Sequence, residues 1–354
     1  MVALSVAAPE VQPVGVRPAA VWSLGDRPVE AGPVVWVLHD GKAGMASQAL
    51  GVAEAAGFAF VEKTLTVRRP WIWAAPSLWV APLRGVRQSG RRLLPPWPDA
   101  VIGCGRNAVR PALAIKRASG GRTITVHIQD PRFGRDRFDL MIVPQHDRLR
   151  GPRVLVTTGA VHRATPLRLA AEIRRFPALA TLPRPVVGVL IGGANGAYRL
   201  DSERLAAVAD RIASAVTRIG GSVVATPSRR TGPDGVRLLR ERLSGIPGQV
   251  WDGTGENPYF AYLAVSDALI VTADSVSMVS EAAATGKPVH VVDLPGGDAK
   301  FARFHAAMRD AGITRPFAGE IERWCYRPPD DTARAGAVLH DIVTARFMQR
   351  GHAA

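Results

Sequence analysis

The chain has 354 residues, of which 47% are hydrophobic and 21% charged, a globular composition sufficient for about two domains and unlike that of a disordered or polytopic membrane protein. Forty-five Lys and Arg against 30 Asp and Glu leave a formal net charge of +15, and an Arg-, Ala-, Gly- and Pro-rich composition of this kind also follows from a GC-rich genome. Cys104 and Cys325 stand far apart without CxxC or His-rich spacing, which argues against a disulfide framework and a structural zinc site and favours a reducing compartment.

Residues 1–32 are Val, Ala, Pro and Gly without sustained period and read as a flexible leader. From Pro33 the pattern alternates between strand and helix. Val34–Leu38 is a buried strand, His39-Asp40-Gly41-Lys42-Ala43-Gly44 a loop, and Gln48–Ala56 a helix. The pattern returns at Asp99–Ile102, the loop Gly103–Asn107 and the helix Ala108–Arg117. Further strands are expected at Thr123–Ile128, Leu140–Val143 and Val154–Val156. No apolar run reaches the roughly 18 uncharged residues of a spanning helix, so a soluble or peripheral protein is expected.

After a helix at Pro166–Arg175, Thr181-Leu182-Pro183-Arg184-Pro185 reads as a linker. A second series follows, with strands at Val186–Ile191, Ser222–Thr226, Gln249–Trp251, Ala268–Thr272 and Val289–Val292. Helices are expected at Ser202–Ile219, Gly235–Leu243, Pro258–Ala264, Ser277–Thr285 and Lys300–Ala311. The fold class is therefore α/β, with two doubly wound, Rossmann-like domains at 33–180 and 185–328. A last helix in 329–354 is expected to pack back on the first domain. Ligands of such sheets bind outside the carboxyl ends of the strands, so the loops there carry the candidates.

Gly192-Gly193-Ala194-Asn195-Gly196 follows a buried strand and suits either a phosphate cradle or a tight strand-to-helix connection. Asp274, Ser275, Ser277 and Met278 stand at the start of the next candidate helix, where free amides favour an anion and where any one side chain can instead be the N-cap. Glu281 falls one turn inside, placed to accept both hydroxyls of a ribose or to be a solvated surface acid. Gly103–Ala108 formally matches a dinucleotide fingerprint with Asp130 beyond it, and is discounted because its strand is not the first of the domain. His39, Asp40, His127 and Asp130 end strands on the cleft side and are candidates for a general base.

Residues 68–122 hold eleven Lys and Arg and one acid, Asp99. Trp71, Trp73, Trp79 and Trp97 lie among them, interleaved with Arg68, Arg69, Arg84, Arg87, Arg91 and Arg92. Aromatic rings with guanidiniums suit an anionic bilayer surface, a loop core or nucleic acid, and the membrane surface is preferred.

The segments Asp40–Gly44 with Gln48, Ile102–Arg106, Ile128–Arg132, Gly192–Asn195 and Thr272–Glu281 resemble the mitochondrial-fission ELM family, which includes bacterial members regarded as glycosyltransferases. The helix ending in Ser280-Glu281 and Gly286-Lys287-Pro288 is similar to the donor-site helix of the bacterial cell-wall N-acetylglucosaminyltransferase. That resemblance implies a glycosyltransferase-B fold with its two domains facing across a cleft. Glu281 would hold the donor ribose, and Gly192, Gly193 and Ser275 the diphosphate, with the first loop toward the acceptor. Met45 stands where the cell-wall enzyme has a His, so His39, Asp40 or Asp130 would have to act as base. The expected activity is metal-independent transfer from a nucleoside diphosphate sugar, a UDP-sugar, to a lipid-linked or lipopolysaccharide acceptor. The expected location is cytoplasmic and peripheral to the inner membrane, through Arg and Trp residues 68–97, with no cofactor beyond the donor and no nucleic acid partner. The alternatives are a noncatalytic membrane-remodelling adaptor and a nucleotide-sugar epimerase of the same fold.

Overall fold

A computed structural model describes residues 32–351, apart from 70, 72 and 75–77. Apart from Gly32, the expected leader lies outside the described residues.

The N-terminal half runs β1 (Val34–His39), α1 (Ala43–Ala56), β2 (Ala59–Val67), α2 (Pro82–Gly85), β3 (Val86–Gln88), β4 (Ala100–Cys104), α3 (Arg106–Ala118), β5 (Ile124–Ile128), β6 (Leu140–Pro144) and β7 (Val154–Thr157). Its seven strands are ordered β3-β2-β1-β4-β5-β6-β7, and every pair is parallel except β2 with β3. β4 and β6 are continuous apolar runs, and β1 and β5 are buried almost throughout even at His39, Thr125 and His127, because helices cover both faces of the sheet, as parallel strands require.

The C-terminal half runs α4 (Pro166–Arg175), β8 (Val186–Ile191), α5 (Ser202–Arg218), β9 (Ser222–Pro227), α6 (Gly232–Leu243), β10 (Gly248–Val250), α7 (Tyr259–Val265), β11 (Ala268–Thr272), α8 (Val276–Ala283), β12 (Val289–Val292), α9 (Ala299–Asp310), β13 (Thr314–Pro316) and α10 (Asp331–Gly351). Its six strands are all parallel, ordered β10-β9-β8-β11-β12-β13. α5 shows how these helices arise. Asp201 caps it by accepting from the Arg204 amide, and Leu205, Val208, Ala209, Ile212, Ala215 and Val216 bury one stripe.

Three strands fall outside the sequence reading. β2 carries Glu62 and Lys63 in mid-strand, where they break the apolar run. Both are used locally, Glu62 on His39 and Lys63 over the Trp36 ring at 4.1 Å. β3 and β13 have three residues each, too few for a period.

The chain crosses between the halves earlier than the linker expected at Thr181–Pro185. α4 already packs on the second half, Leu169 against its main core and Ile173 and Phe176 beside Tyr262 and Val265. α10 returns to the first half, burying Ala335, Leu339 and Val343 with Ala49 and Val52 of α1, and Gly336 lies where a Cβ would stand 2.5 Å from Ala55. The two crossing segments are tied together: Asp331 accepts from the Thr158 and Gly159 amides, and Thr332 from that of His162.

In each sheet the strand order reverses beside the first strand, at β1/β4 and at β8/β11. The loops at such switch points open a crevice. The loops after β1 and β4 thus face those after β8 and β11, and the site is sought between them.

Candidate functional site

α8 starts from Ser275, whose hydroxyl caps it by accepting from the Met278 amide at 3.3 Å. Both Ser275 and Met278 therefore build the helix start, and the first-turn amides there lack intrahelical acceptors. Glu281, one turn on, is only 5% exposed. Its Oε1 accepts from the Ser47 hydroxyl of α1 at 2.6 Å and its Oε2 from the Tyr259 hydroxyl of α7 at 2.5 Å. Burial raises the Glu281 carboxyl above its ordinary value, and the two hydroxyls oppose that shift. The surface-acid reading of Glu281 is thus excluded.

α1 reaches the same point from the other half. Gln48 donates to the Gly44 carbonyl at 3.0 Å and to Ser277 Oγ at 3.4 Å, and a Cβ on Gly44 would lie 2.9 Å from that oxygen. Gln129, with a left-handed φ of 75° at the end of β5, donates to Gln48 Oε1 and to Met45 Sδ, both at 3.3 Å. Gly105, before α3, also touches Met45 Sδ. The N-termini of α1, α3 and α8 therefore converge, and none has an acid in its first turn. Lys42 stands at the α1 end, and Arg229 crosses from the other half to the Gly41 carbonyl at 3.4 Å. Helix dipoles and cations together make this a place for an anion.

The glycine loop after β8 behaves differently from the phosphate cradle expected of it. The Gly192 amide donates to Thr272 Oγ1 at 2.8 Å and the Gly193 amide to Asp274 Oδ2 at 3.0 Å, so both are engaged by the protein itself. Arg230 pairs with the same Asp274 oxygen at 2.7 Å and donates to the Gly193 carbonyl at 3.0 Å. Asn195 holds the turn, accepting from the Ala197 and Tyr198 amides and donating to the Asp274 carbonyl. Asp274, Gly192, Gly193 and Asn195 thus brace one another beside the N-terminus of α8, and a ligand held by the two glycine amides would have to replace these bonds. Beside them a cavity of about 240 Å³ is lined by Gly193, Asp201, Thr231 and Pro233, away from Glu281.

The base candidates separate by their partners. His39 is buried, its Nδ1 accepting from the Gly41 amide at 3.1 Å and its Nε2 donating to Glu62 at 2.9 Å, so the ring orders the loop and has no nitrogen free for a substrate. Asp130 is held in a bidentate pair by Arg135 and accepts from the Arg132 amide. Burial favours its protonated form, but the Arg135 hydrogen bond and then the Arg132 amide prevail and hold it below the usual carboxylate range. Its bidentate Arg135 pair stabilises the charged form and makes it a weak base. His127 is fully buried inside β5 beside Phe138, and burial pushes it down to about 3. Asp40 remains, at the end of β1, paired with the exposed Lys42 at 2.7 Å and approached by Asn107 at 3.5 Å. Among the described residues no three His, Cys, Asp or Glu side chains gather as a metal site.

The Arg and Trp segment divides. Trp79 is buried and Trp71 and Trp97 pack partly into the core of the first half, whereas Trp73 is 71% exposed with Arg69 over its ring at 5.3 Å. Leu78, Val80 and Leu94 are exposed in the same segment, and desolvation and then the nearby Arg68 and Arg92 lower the Arg87 guanidinium from its ordinary value. No helix among the described residues is long and apolar enough to cross a membrane.

Ser47, Tyr259, Gln129, Arg229 and Arg230 were not among the sequence candidates. Only Gln129 carries a local mark, its backbone strain, and that appears only in three dimensions.

The fold and several of these segments recur in known proteins. A solved UDP-GlcNAc 2-epimerase from Methanocaldococcus jannaschii, in complex with UDP-GlcNAc and UDP, superposes with a TM-score of 0.52 over 88% of this chain and 99% of its own at 11% identity. That likeness concerns the fold, which is of glycosyltransferase-B type. "Uncharacterized protein RP120" of Rickettsia prowazekii (strain Madrid E) is 24% identical over 356 aligned positions, covering 86% of this chain and 97% of that protein. "Mitochondrial fission protein ELM1" of Arabidopsis thaliana is 34% identical over 278 residues, 70% of this chain. The chain spans 65% of the length of that plant relative. The family model described as mitochondrial fission ELM1 matches residues 43–342, and the chain belongs to that family.

Proposed function

We propose that the protein binds a nucleoside diphosphate sugar, a UDP-sugar, in the cleft between its halves and transfers the sugar to a hydroxyl of a lipid-linked or lipopolysaccharide acceptor. The observation that carries this reading is Glu281, a buried carboxylate whose two oxygens each accept a hydroxyl hydrogen bond, at 2.6 and 2.5 Å. That is the hydrogen-bonding pattern a vicinal diol of a ribose requires.

The diphosphate then lies against the α8 N-terminus, between Ser275 and Ser277, with Lys42 and Arg229 as counter-charges. Donors fixed before reaction stabilise the departing diphosphate without reorganisation, and no metal is needed for that role. Asp40 takes the proton of the acceptor hydroxyl, oriented by Asn107. Gly192, Gly193, Asn195 and Asp274 support α8 from behind. Trp73, Leu78, Val80 and Leu94, with Arg68, Arg69, Arg87 and Arg92 of the same segment, meet an anionic membrane surface where such an acceptor resides, at the cytoplasmic face of the inner membrane.

Calorimetric titration with UDP tests the donor site. Glu281→Gln is expected to weaken binding at least about tenfold, the loss of a charge-assisted pair of hydrogen bonds. Equal affinity in the variant removes the ribose assignment. A noncatalytic adaptor is the second reading, favoured by the engagement of His39 and Asp130 within the protein. It predicts that hydrolysis and transfer stay at background with every UDP-sugar and acceptor while the membrane surface still binds vesicles. An epimerase of this fold is distinguished by turnover of the UDP-sugar without an acceptor.

A further inference from the structure

Ser47 and Glu281 are 234 positions apart in sequence and belong to opposite halves of the molecule. Their bond sits where the proposed donor ribose belongs. Tyr259, the other partner of Glu281, lies on the same half as Glu281, so the two carboxylate oxygens are not equivalent. One is filled from within the half and the other across the cleft.

Ser47 rides on a helix that is held on both faces. Gly44, Ser47, Gln48, Gly51 and Glu54 follow a spacing of three and four, one face of α1. All of them meet the second half or the crossover segment. Gly44 and Gln48 touch Ser277, and a Cβ on Gly51 would stand 2.2 Å from the His162 carbonyl oxygen. Glu54 pairs with Arg163 and lies 3.9 Å from Arg168. The Ser47 hydroxyl itself also accepts from the Arg163 amide at 3.4 Å. The opposite face of α1, with Ala49, Val52 and Ala53, is fixed in the core beneath α10. α1 therefore carries the Ser47 backbone as part of a rigid body, and the hydroxyl leaves Glu281 either by rotation about Cα–Cβ, which also gives up the Arg163 amide, or by separation of the halves.

We infer that Ser47 is an internal competitor for the donor: its hydroxyl occupies the ribose-accepting oxygen of Glu281, ties the two halves together across the cleft, and must be displaced before a nucleotide sugar binds. The inference rests on the ribose assignment of Glu281. With the donor seated, its own hydroxyls replace Ser47 at Glu281.

The test uses the full-length chain with UDP as the probe, comparing wild type, Ser47→Ala and Glu281→Gln by calorimetry, and wild type with Ser47→Ala by small-angle scattering without nucleotide. Alanine is the best helix former, so Ser47→Ala keeps α1 folded. Ser47→Ala is expected to bind UDP about tenfold more tightly, since a charge-assisted hydrogen bond no longer competes, and to show a larger radius of gyration. Unchanged or weaker UDP binding by Ser47→Ala, with binding lost in Glu281→Gln, overturns the competition while leaving the ribose assignment standing. UDP binding that is equal in Glu281→Gln and wild type removes the ribose assignment, and the competition falls with it.

Discussion

The Asp274 carboxylate occupies the space that a side chain on Gly192 would need, its Oδ2 and Oδ1 standing 2.1 and 2.2 Å from where a Cβ would be. The glycine of this loop is therefore required by a buried acid behind it. Gly193 is confined in the same way by the backbone of Arg230, 2.6 Å from its own Cβ position.

Gly192→Ala is accordingly expected to destabilise the protein by roughly 1–3 kcal/mol, the range for overpacking a filled interior. Urea unfolding measures it. A variant as stable as wild type would show that Asp274 and Arg230 can move aside without loss.

Asp40 and Asp130 should separate in activity. General-base catalysis contributes roughly 10²–10⁴ in rate, so Asp40→Asn is expected to lower kcat by that factor with no loss of UDP affinity, since it releases Lys42 from its ion pair. Asp130 is already committed to Arg135, and Asp130→Asn should retain activity within a few-fold. Steady-state kinetics with a UDP-sugar and a lipid-linked acceptor decide, and the reverse ranking would move the base to Asp130.

Two tryptophans of one segment should fail in different assays. Trp79 is buried, and its indole donates to the Ala74 carbonyl at 3.3 Å. Trp79→Ala should cost about 3–5 kcal/mol of stability. Trp73 is exposed, so Trp73→Ala should leave stability within about 0.5 kcal/mol while weakening co-sedimentation with anionic vesicles. Undiminished vesicle binding by Trp73→Ala would detach the segment from the membrane.

Acid should unfold the protein through its buried histidines. Burial pushes His127 down from 6.5 to about 3 and His162 down to about 4. The unfolded chain takes up these protons first, so the stability present above pH 6.5 is lost as pH falls from there toward the folded values. Between pH 7 and 5 each histidine should cost about 2 kcal/mol. His127→Phe should flatten that slope by about one histidine's share in urea unfolding at the two pH values. An unchanged slope would mean that His127 titrates in the fold near its ordinary value.

The α/β class, the paired doubly wound sheets and the loops that face the cleft are legible in the sequence, because buried parallel strands such as Val186–Ile191 leave continuous apolar runs and their loops follow directly. Glu281 is legible too, by its place one turn into α8 and by the resemblance of its segment. What each loop does with its atoms is not legible there. Nothing near His39 in sequence announces Glu62 and the Gly41 amide as partners of its two nitrogens, and nothing near Gly192 announces Thr272 as the acceptor of its amide or Asp274 as the group that fills its Cβ space. Ser47 carries no local mark at all, since its meaning is a hydrogen bond to a residue 234 positions away. Periodicity records how much of each residue is buried, which local sequence dictates. Which donor meets which acceptor depends on how two separate sheets are brought face to face, and only the tertiary structure decides that.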